Sequence, residues 1–279
     1  MLRRIARRLN ATFRGPSPQD ILAEVRALAP LAGRVAALEL EVARLRAVAE
    51  PFHTRPGTLD PNIYGEVLVD NEYRLPERFE ATDVVIDIGA HVGSFAVACL
   101  LRGAGRIVSF EPVPANHALL SVNLARFGGR GEARRAAVWR SDGPATELHY
   151  ELSDDPTNTG GGNVLGKTAG GLAVPAVPLD AVVAELLAAT GQSRVRLLKL
   201  DCEGSEYPVL LTATCLDKVA ELCGEYHDIG EVGPAAQARG HTRYDRKVLT
   251  DYLGSVGFRV ESEVHPRNPA IGLFWARRA

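Results

Sequence analysis

Short apolar runs rich in β-branched residues recur along most of the chain, and longer segments with helical spacing separate them. Val84–Ile88, Arg106–Phe110, Ala133–Trp139, Val195–Leu200 and Val219–Tyr226 read as strands, because they are short, apolar and bounded by turn residues. Gly93–Leu101, Ala115–Phe127, Leu179–Ala189, Tyr207–Thr212 and Asp245–Val256 read as the helices between and after them. Phe258–Val264 and Ile271–Arg277 read as a closing antiparallel pair. Strands alternating with helices require crossover connections, so the expected class is α/β with a mostly parallel sheet. Ligands of such sheets sit beyond the carboxyl ends of the strands, where the strand order reverses.

The pattern before Asn62 is different. Ile21, Val25, Leu28, Ala32 and Val35, then Leu38, Val42, Leu45 and Ala49, step by four and three. Pro30 and Gly33 interrupt that run, which predicts two helical pieces. Glu39, Glu41, Arg44 and Arg46 flank the second piece as in a short coiled coil. Residues 1–50 are therefore expected to form a helical extension. It could pair with a second copy of the chain, giving a homo-oligomer, or pack on its own domain. Residues 51–61 hold three prolines and a glycine without periodicity and read as a linker. Residues 62–279 read as the main domain. Ser153–Gly171 is polar and glycine-rich, too long for an ordinary connection, and reads as a lid.

Composition narrows the function classes. The chain has 279 residues, a net charge of −2 and only 6% aromatic residues. It offers no basic stripe with interleaved aromatics for nucleic acid. No apolar run is long enough to span a bilayer. The arginines at 3, 4, 7, 8 and 14, beside Leu2, Ile5, Leu9 and Phe13, read as a solvated helix end rather than a membrane-surface helix. The four cysteines follow no metal-ligand spacing, and a cytoplasmic location is expected.

The chemistry starts after the first strand, at Asp87-Ile-Gly89-Ala-His91-Val-Gly93-Ser94. The glycines permit a tight turn and close approach of a ligand, and the helix start offers free amides. A dinucleotide site would place a glycine where His91 stands. Glu111, followed by Pro112, ends the second strand, where an acid accepts both hydroxyls of a ribose. Asp87 can hold the loop or meet an ammonium group through water. A ligand with a ribose, an amino-acid part and no phosphate suits this set, and S-adenosylmethionine is such a ligand.

VIDIGAHVGSF, SFEP, AAVWRSDG and LLKLDCEGSEYPVL, in that order, resemble the FkbM-type S-adenosylmethionine-dependent methyltransferases. Family members more often carry asparagine at His91 and an aliphatic residue at Cys202. The resemblance runs from Asn62 to the end. It implies a class I methyltransferase (Rossmann-like) seven-stranded sheet with helices on both faces, and methylation of a hydroxyl on a sugar, glycan or secondary metabolite. It also implies that Asp87, Gly89, His91, Gly93 and Ser94 line the cofactor loop and that Glu111 takes the ribose. Ala137 and Val138 would lie near the adenine, and Asp201 would face the transferring methyl.

Two clusters at strand ends are candidates for the chemistry: Asp201 with Glu203 and Glu206, and Glu225-Tyr226-His227-Asp228. His227 is the expected general base, since its ordinary pKa lies near neutrality. Asp201 and Glu225 are expected beside it. Glu203 can cap the next helix, and Glu206 suits that helix's first turn. Asp201, Glu225 and His227 could instead bind a divalent metal such as Mg2+, which would acidify the acceptor hydroxyl. Asn62, Tyr64 and Tyr73 are candidates for a further wall. The competing readings are a degenerate cofactor-binding scaffold that assembles through its N-terminal helices, and a nucleotide-dependent oxidoreductase. The intact acids and glycines oppose the first; the missing glycine at His91 opposes the second.

Overall fold

The structure, a computed structural model, describes residues 34–35, 51–143, 147–164 and 171–279. The expected N-terminal helices and their seam lie almost wholly outside the described residues. Glu50–Ala279 forms one compact unit. Its helices are α1 (Asp60–Leu68), α2 (Ser94–Leu101), α3 (Pro114–Ala125), α4 (Leu179–Thr190), α5 (Glu206–Thr212) and α6 (Arg246–Ser255). Its longer strands are β1 (Val84–Ile88), β2 (Arg106–Phe110), β3 (Gly131–Arg134), β4 (Ala137–Trp139), β5 (Glu147–Tyr150), β6 (Leu172–Pro178), β7 (Val195–Leu200) and β8 (Val219–His227). The two-residue β9 (Gly230–Glu231) and β10 (Arg243–Tyr244) follow, then β11 (Phe258–His265) and β12 (Asn268–Arg278).

Seven strands build the main sheet in the order β3-β2-β1-β7-β8-β12-β11. All neighbours are parallel except β12, which runs antiparallel to both β8 and β11. This is the expected α/β sheet with its closing antiparallel pair. The order reverses between β1 and β7, so the crevice opens beyond Ile88 and Leu200. β1 is buried along its whole length, and α2 behind it is buried on nearly every face. Helical periodicity is absent from α2 for that reason: a helix wrapped by protein needs no polar face.

Sequence pattern sets several boundaries. Pro114 occupies the first turn of α3, where its missing N–H costs nothing. The Asp245 carboxylate accepts from Val248 N–H and caps α6. Gly191 closes α4 in the left-handed conformation.

Two expectations change. The run 133–139 is not one strand: β3 stays in the main sheet, while β4 leaves it and pairs with β6 in a three-stranded sheet of order β4-β6-β5. The chain bends at Arg135–Ala136, where Ala136 N–H returns to the Arg134 carbonyl. Residues 51–61 are not a free linker either. Asp60 starts α1 and is fully buried, and His53 exchanges backbone hydrogen bonds with the Asn123 side chain. Among the described residues, no helix is long and apolar enough to cross a membrane.

Candidate active site

The crevice is a cavity of about 500 Å³ lined by the ends of β1, β2, β4, β7 and β8. Gly89 makes it possible for β1 and β7 to meet there. Its φ is +74°, and a Cβ added to it would stand 1.7 Å from the Asp201 carbonyl oxygen. The glycine is required by protein packing as much as by any ligand.

Lys199 lies beneath this contact, almost fully buried. Its ammonium donates to the Gly89 carbonyl at 2.7 Å and sits 3.4 Å from Asp87 and 3.6 Å from Asp201. Burial alone would lower its pKa, but Asp87 and Asp201 outweigh burial and raise it. Lys199 thus stays charged between two acids. Asp87 is wholly buried and turned towards it, and burial raises the Asp87 pKa against the pull of Lys199. Asp87 therefore braces the loop and does not line the cavity. Gly93 and Ser94 do not line it either: Gly93 starts α2 at φ +96° against Leu120, and Ser94 is buried in the first turn. Gly89, His91, Glu111, Pro112, Ala137, Val138 and Asp201 do line it.

Glu111 is held by backbone. One carboxylate oxygen accepts from Val113 N–H and the other from His91 N–H, both at 2.8 Å. Asn116 adds a longer contact. Burial pushes the Glu111 pKa up to about 7, against those three donors. Glu111 lines the cavity, and each carboxylate oxygen can accept more than one hydrogen bond, as a ribose diol needs. Ala137 and Val138, on the strand that left the main sheet, form an apolar wall with Pro112 and Val164 on which an adenine fits. A fixed acid, an apolar slot and an acid at the end of β7 together suit S-adenosylmethionine.

Asp201, Glu203, Glu225 and His227 also line the cavity. Tyr73 OH donates to Asp201 Oδ2 at 3.0 Å, and Lys199 approaches the same oxygen. Burial raises the Asp201 pKa, but Lys199, His227 and Tyr73 outweigh it and hold the carboxyl below its ordinary range. His227 is nearly buried, 3.3 Å from Glu203, 3.4 Å from Glu206 and 3.7 Å from Glu225. Burial would lower its pKa, yet Glu206 and Glu203 raise it well above the ordinary value. That direction favours the imidazolium over the free base expected of His227. Burial and the nearby Asp201 push Glu225 up to about 8. Glu206, in the first turn of α5, accepts from Cys202 N–H and faces His227 Nδ1. Glu203 caps no helix: it stands at φ +55° and faces His227 Nε2. Asp201, Glu225 and His227 each place one donor atom within 4.8 Å of the others, a span one cation can bridge. Of the expected wall, Tyr73 lines the cavity, while Tyr64 stacks on Phe52 with ring centroids 4.3 Å apart. Neither Tyr64 nor the exposed Asn62 lines it.

In its described part, the segment read as a lid contributes Asn158, Gly160 and Gly162 to the cavity lining. Arg55, Asp60 and Asn116 stand beside the site outside every motif, and Lys199 lies within LLKLDCEGSEYPVL.

Residues 87–239 match the family described as the Methyltransferase FkbM domain, more than half of the chain. No functionally curated protein matches it. Among solved structures, the chain is similar to precorrin-6y C5,15-methyltransferase from Geobacter metallireducens GS-15, with 13% identity, 82% of this chain and 94% of that chain covered, and a TM-score of 0.41. It is also similar to a SAM-dependent methyltransferase from Aquifex aeolicus, with 11% identity, 79% and 99% coverage, and a TM-score of 0.40. An rRNA methylase from Streptococcus thermophilus gives 11% identity, 82% and 99% coverage, and a TM-score of 0.38.

Proposed function

The chain belongs to the FkbM methyltransferase family, a family dependent on S-adenosylmethionine, and from that premise we propose that it methylates a hydroxyl of a small polyhydroxylated acceptor: a sugar, a glycan or a secondary metabolite. The observation that carries this reading is the wall of Asp201, Glu225 and His227 at the ends of β7 and β8, in the same cavity as Glu111.

When bound, S-adenosylmethionine supplies an electrophilic methyl on a sulfonium. Glu111 would hold the ribose, and Asp201, whose carboxyl Lys199, His227 and Tyr73 keep below its ordinary range, would face the positive end. Asp201 and Glu225, which line the same end of the cavity, would flank the acceptor hydroxyl. As its oxygen takes the methyl group, its proton would pass to the deprotonated fraction of Glu225, which burial and Asp201 push up to about 8 and so make a stronger base, beside His227. Aligning the oxygen supplies several kcal/mol, about 7–11 in the best model reactions. Proton acceptance adds roughly 10²–10⁴-fold.

Acceptor class follows from charge. Glu66, Glu72, Asp201, Glu203 and Glu225 line this end, with Asn268 and His265. Asp201, held below its ordinary range, opposes a phosphate or carboxylate there, and so nucleic acid, while Glu72 and Glu225, pushed up to about 7 and 8, offer both donors and acceptors to neutral polyols and amine-bearing sugars. The second reading uses the same atoms. Asp201, Glu225 and His227 lie close enough to hold one divalent cation, which would itself lower the acceptor's pKa.

The test is turnover with S-adenosylmethionine against neutral sugars, aminosugars and sugar phosphates, with product read by mass spectrometry. Methylated neutral or amino polyols, lost in Glu225→Gln, support the proposal. Methylation confined to phosphorylated acceptors contradicts it. Activity abolished by EDTA and restored by Mg2+ or Mn2+ selects the second reading.

A further inference from the structure

The Arg55–Asp60 pair lies outside the residues matched by the family, yet it reaches the cofactor loop. Asp60 is fully buried. One of its oxygens accepts from Arg55 N–H and Nε–H at 3.0 and 2.9 Å. The other accepts from Arg55 Nη2 at 3.1 Å and from the Thr159 hydroxyl at 2.8 Å, and lies 3.3 Å from His91 Nε2. Thr159 Oγ1 also accepts from Arg55 Nη2 at 2.8 Å and lies 2.7 Å from His91 Nε2. Three distant segments therefore meet on one buried carboxylate.

The backbone repeats the connection. Leu59 N–H donates to the Thr157 carbonyl at 2.9 Å, and Asn116 Nδ2 donates to the Thr159 carbonyl at 2.9 Å. Asn116 is also the residue that touches Glu111. His91 stands at φ +51°, a conformation that a side chain with a Cβ adopts at a cost. In that conformation its N–H points at Glu111. A residue held in a strained conformation persists only when its surroundings fix it, and here its ring is fixed by Asp60, Arg55 and Thr159.

We infer that Arg55, Asp60 and Thr159 are positioning residues of the cofactor site: they clasp the 157–160 strap onto His91 and, through the His91 backbone, aim Glu111 at the ribose. They touch neither the reacting atoms nor the proton acceptor. This rests on the cofactor assignment of Glu111 and on nothing about the acceptor. Breaking the clasp releases both the strap over the cavity and the donor that orients Glu111. Its effect falls on cofactor retention and not on the chemical step.

The experiment compares wild type, Asp60→Asn, Thr159→Val and Thr159→Ser by calorimetric titration with S-adenosylhomocysteine, stopped-flow release of the same ligand, and thermal melting. The expected result is about a tenfold loss of affinity in Asp60→Asn and Thr159→Val, carried mostly by faster release. Thr159→Ser, which keeps the hydroxyl, restores wild-type affinity. If Asp60→Asn does not fold, the two Thr159 variants decide alone. Folded variants with unchanged affinity and release rate overturn the inference, even if their melting temperatures fall, since a purely structural network would move stability alone. A folded wild type that binds no S-adenosylhomocysteine refutes the cofactor assignment itself, and the two failures are thereby distinct.

Discussion

Gly89 and Asp201 touch through their backbones: the space a Cβ would need at Gly89 is already filled by the Asp201 carbonyl. The ends of β1 and β7 thus close on one another at the switch point, and a change on one side reaches the other. Gly89→Ala is expected to cost more than about 3 kcal/mol, through the overlap and the positive φ together. Urea denaturation should show a folded fraction near zero, or a midpoint far below wild type. A wild-type midpoint would mean that the two strands do not meet as described.

Glu111 makes cofactor affinity depend on pH. In the proposed site, ribose hydroxyls would donate to the ionised carboxylate, and burial has raised the pKa of this group to about 7. Below that value the protein must lose a proton to bind. Affinity for S-adenosylhomocysteine should therefore rise with pH by up to about tenfold per unit until near pH 7, then level off. Calorimetry from pH 5.5 to 8.5 checks this, and in Glu111→Gln the slope should vanish.

Tyr73→Phe removes the hydroxyl that donates to Asp201 while keeping the ring, which packs edge-on against Phe95. Losing a donor to a charged acceptor costs about 1.5–3 kcal/mol. If Asp201 faces the reacting methyl, kcat should drop by about tenfold or more. Affinity for S-adenosylhomocysteine should stay within about twofold. Equal losses in both would move Tyr73 to a general packing role.

Lys199→Met strands Asp87 and Asp201 without their buried cation. Removing one partner of a buried ion pair costs about 3–5 kcal/mol. In a domain of this size that lowers the melting temperature by roughly 10 °C. Adding Asp87→Asn should recover much of the loss, because the stranded charge goes with it. Scanning calorimetry on the single and double variants reads both numbers.

The main sheet was legible because its strands are short, β-branched and buried, and because helices separate them. The small sheet was not. In β6 Pro175 and Pro178 speak against a strand, and in β5 the sequence ELHY has no clean alternation. Pattern could not show that the run 133–139 bends, since both halves are apolar enough for either sheet. At the site, Glu111, Ala137 and Asp201 stood at strand ends in recognisable motifs. Asp60 did not: in a segment with three prolines an acid reads as solvated, and its burial depends on Arg55, His91 and Thr159, two of them distant in sequence. His227 was found, but the upward shift of its pKa was not, because that is set by Glu203, just past β7, and Glu206, in the first turn of α5.

The most direct test of the account is calorimetric titration of the folded protein with S-adenosylhomocysteine, beside Glu111→Ala. Binding near micromolar, weakened about 100-fold in the variant (roughly 2.7 kcal/mol), is the predicted result. No binding by wild type, or equal binding by both proteins, would contradict a cofactor site at the ends of β1 and β2.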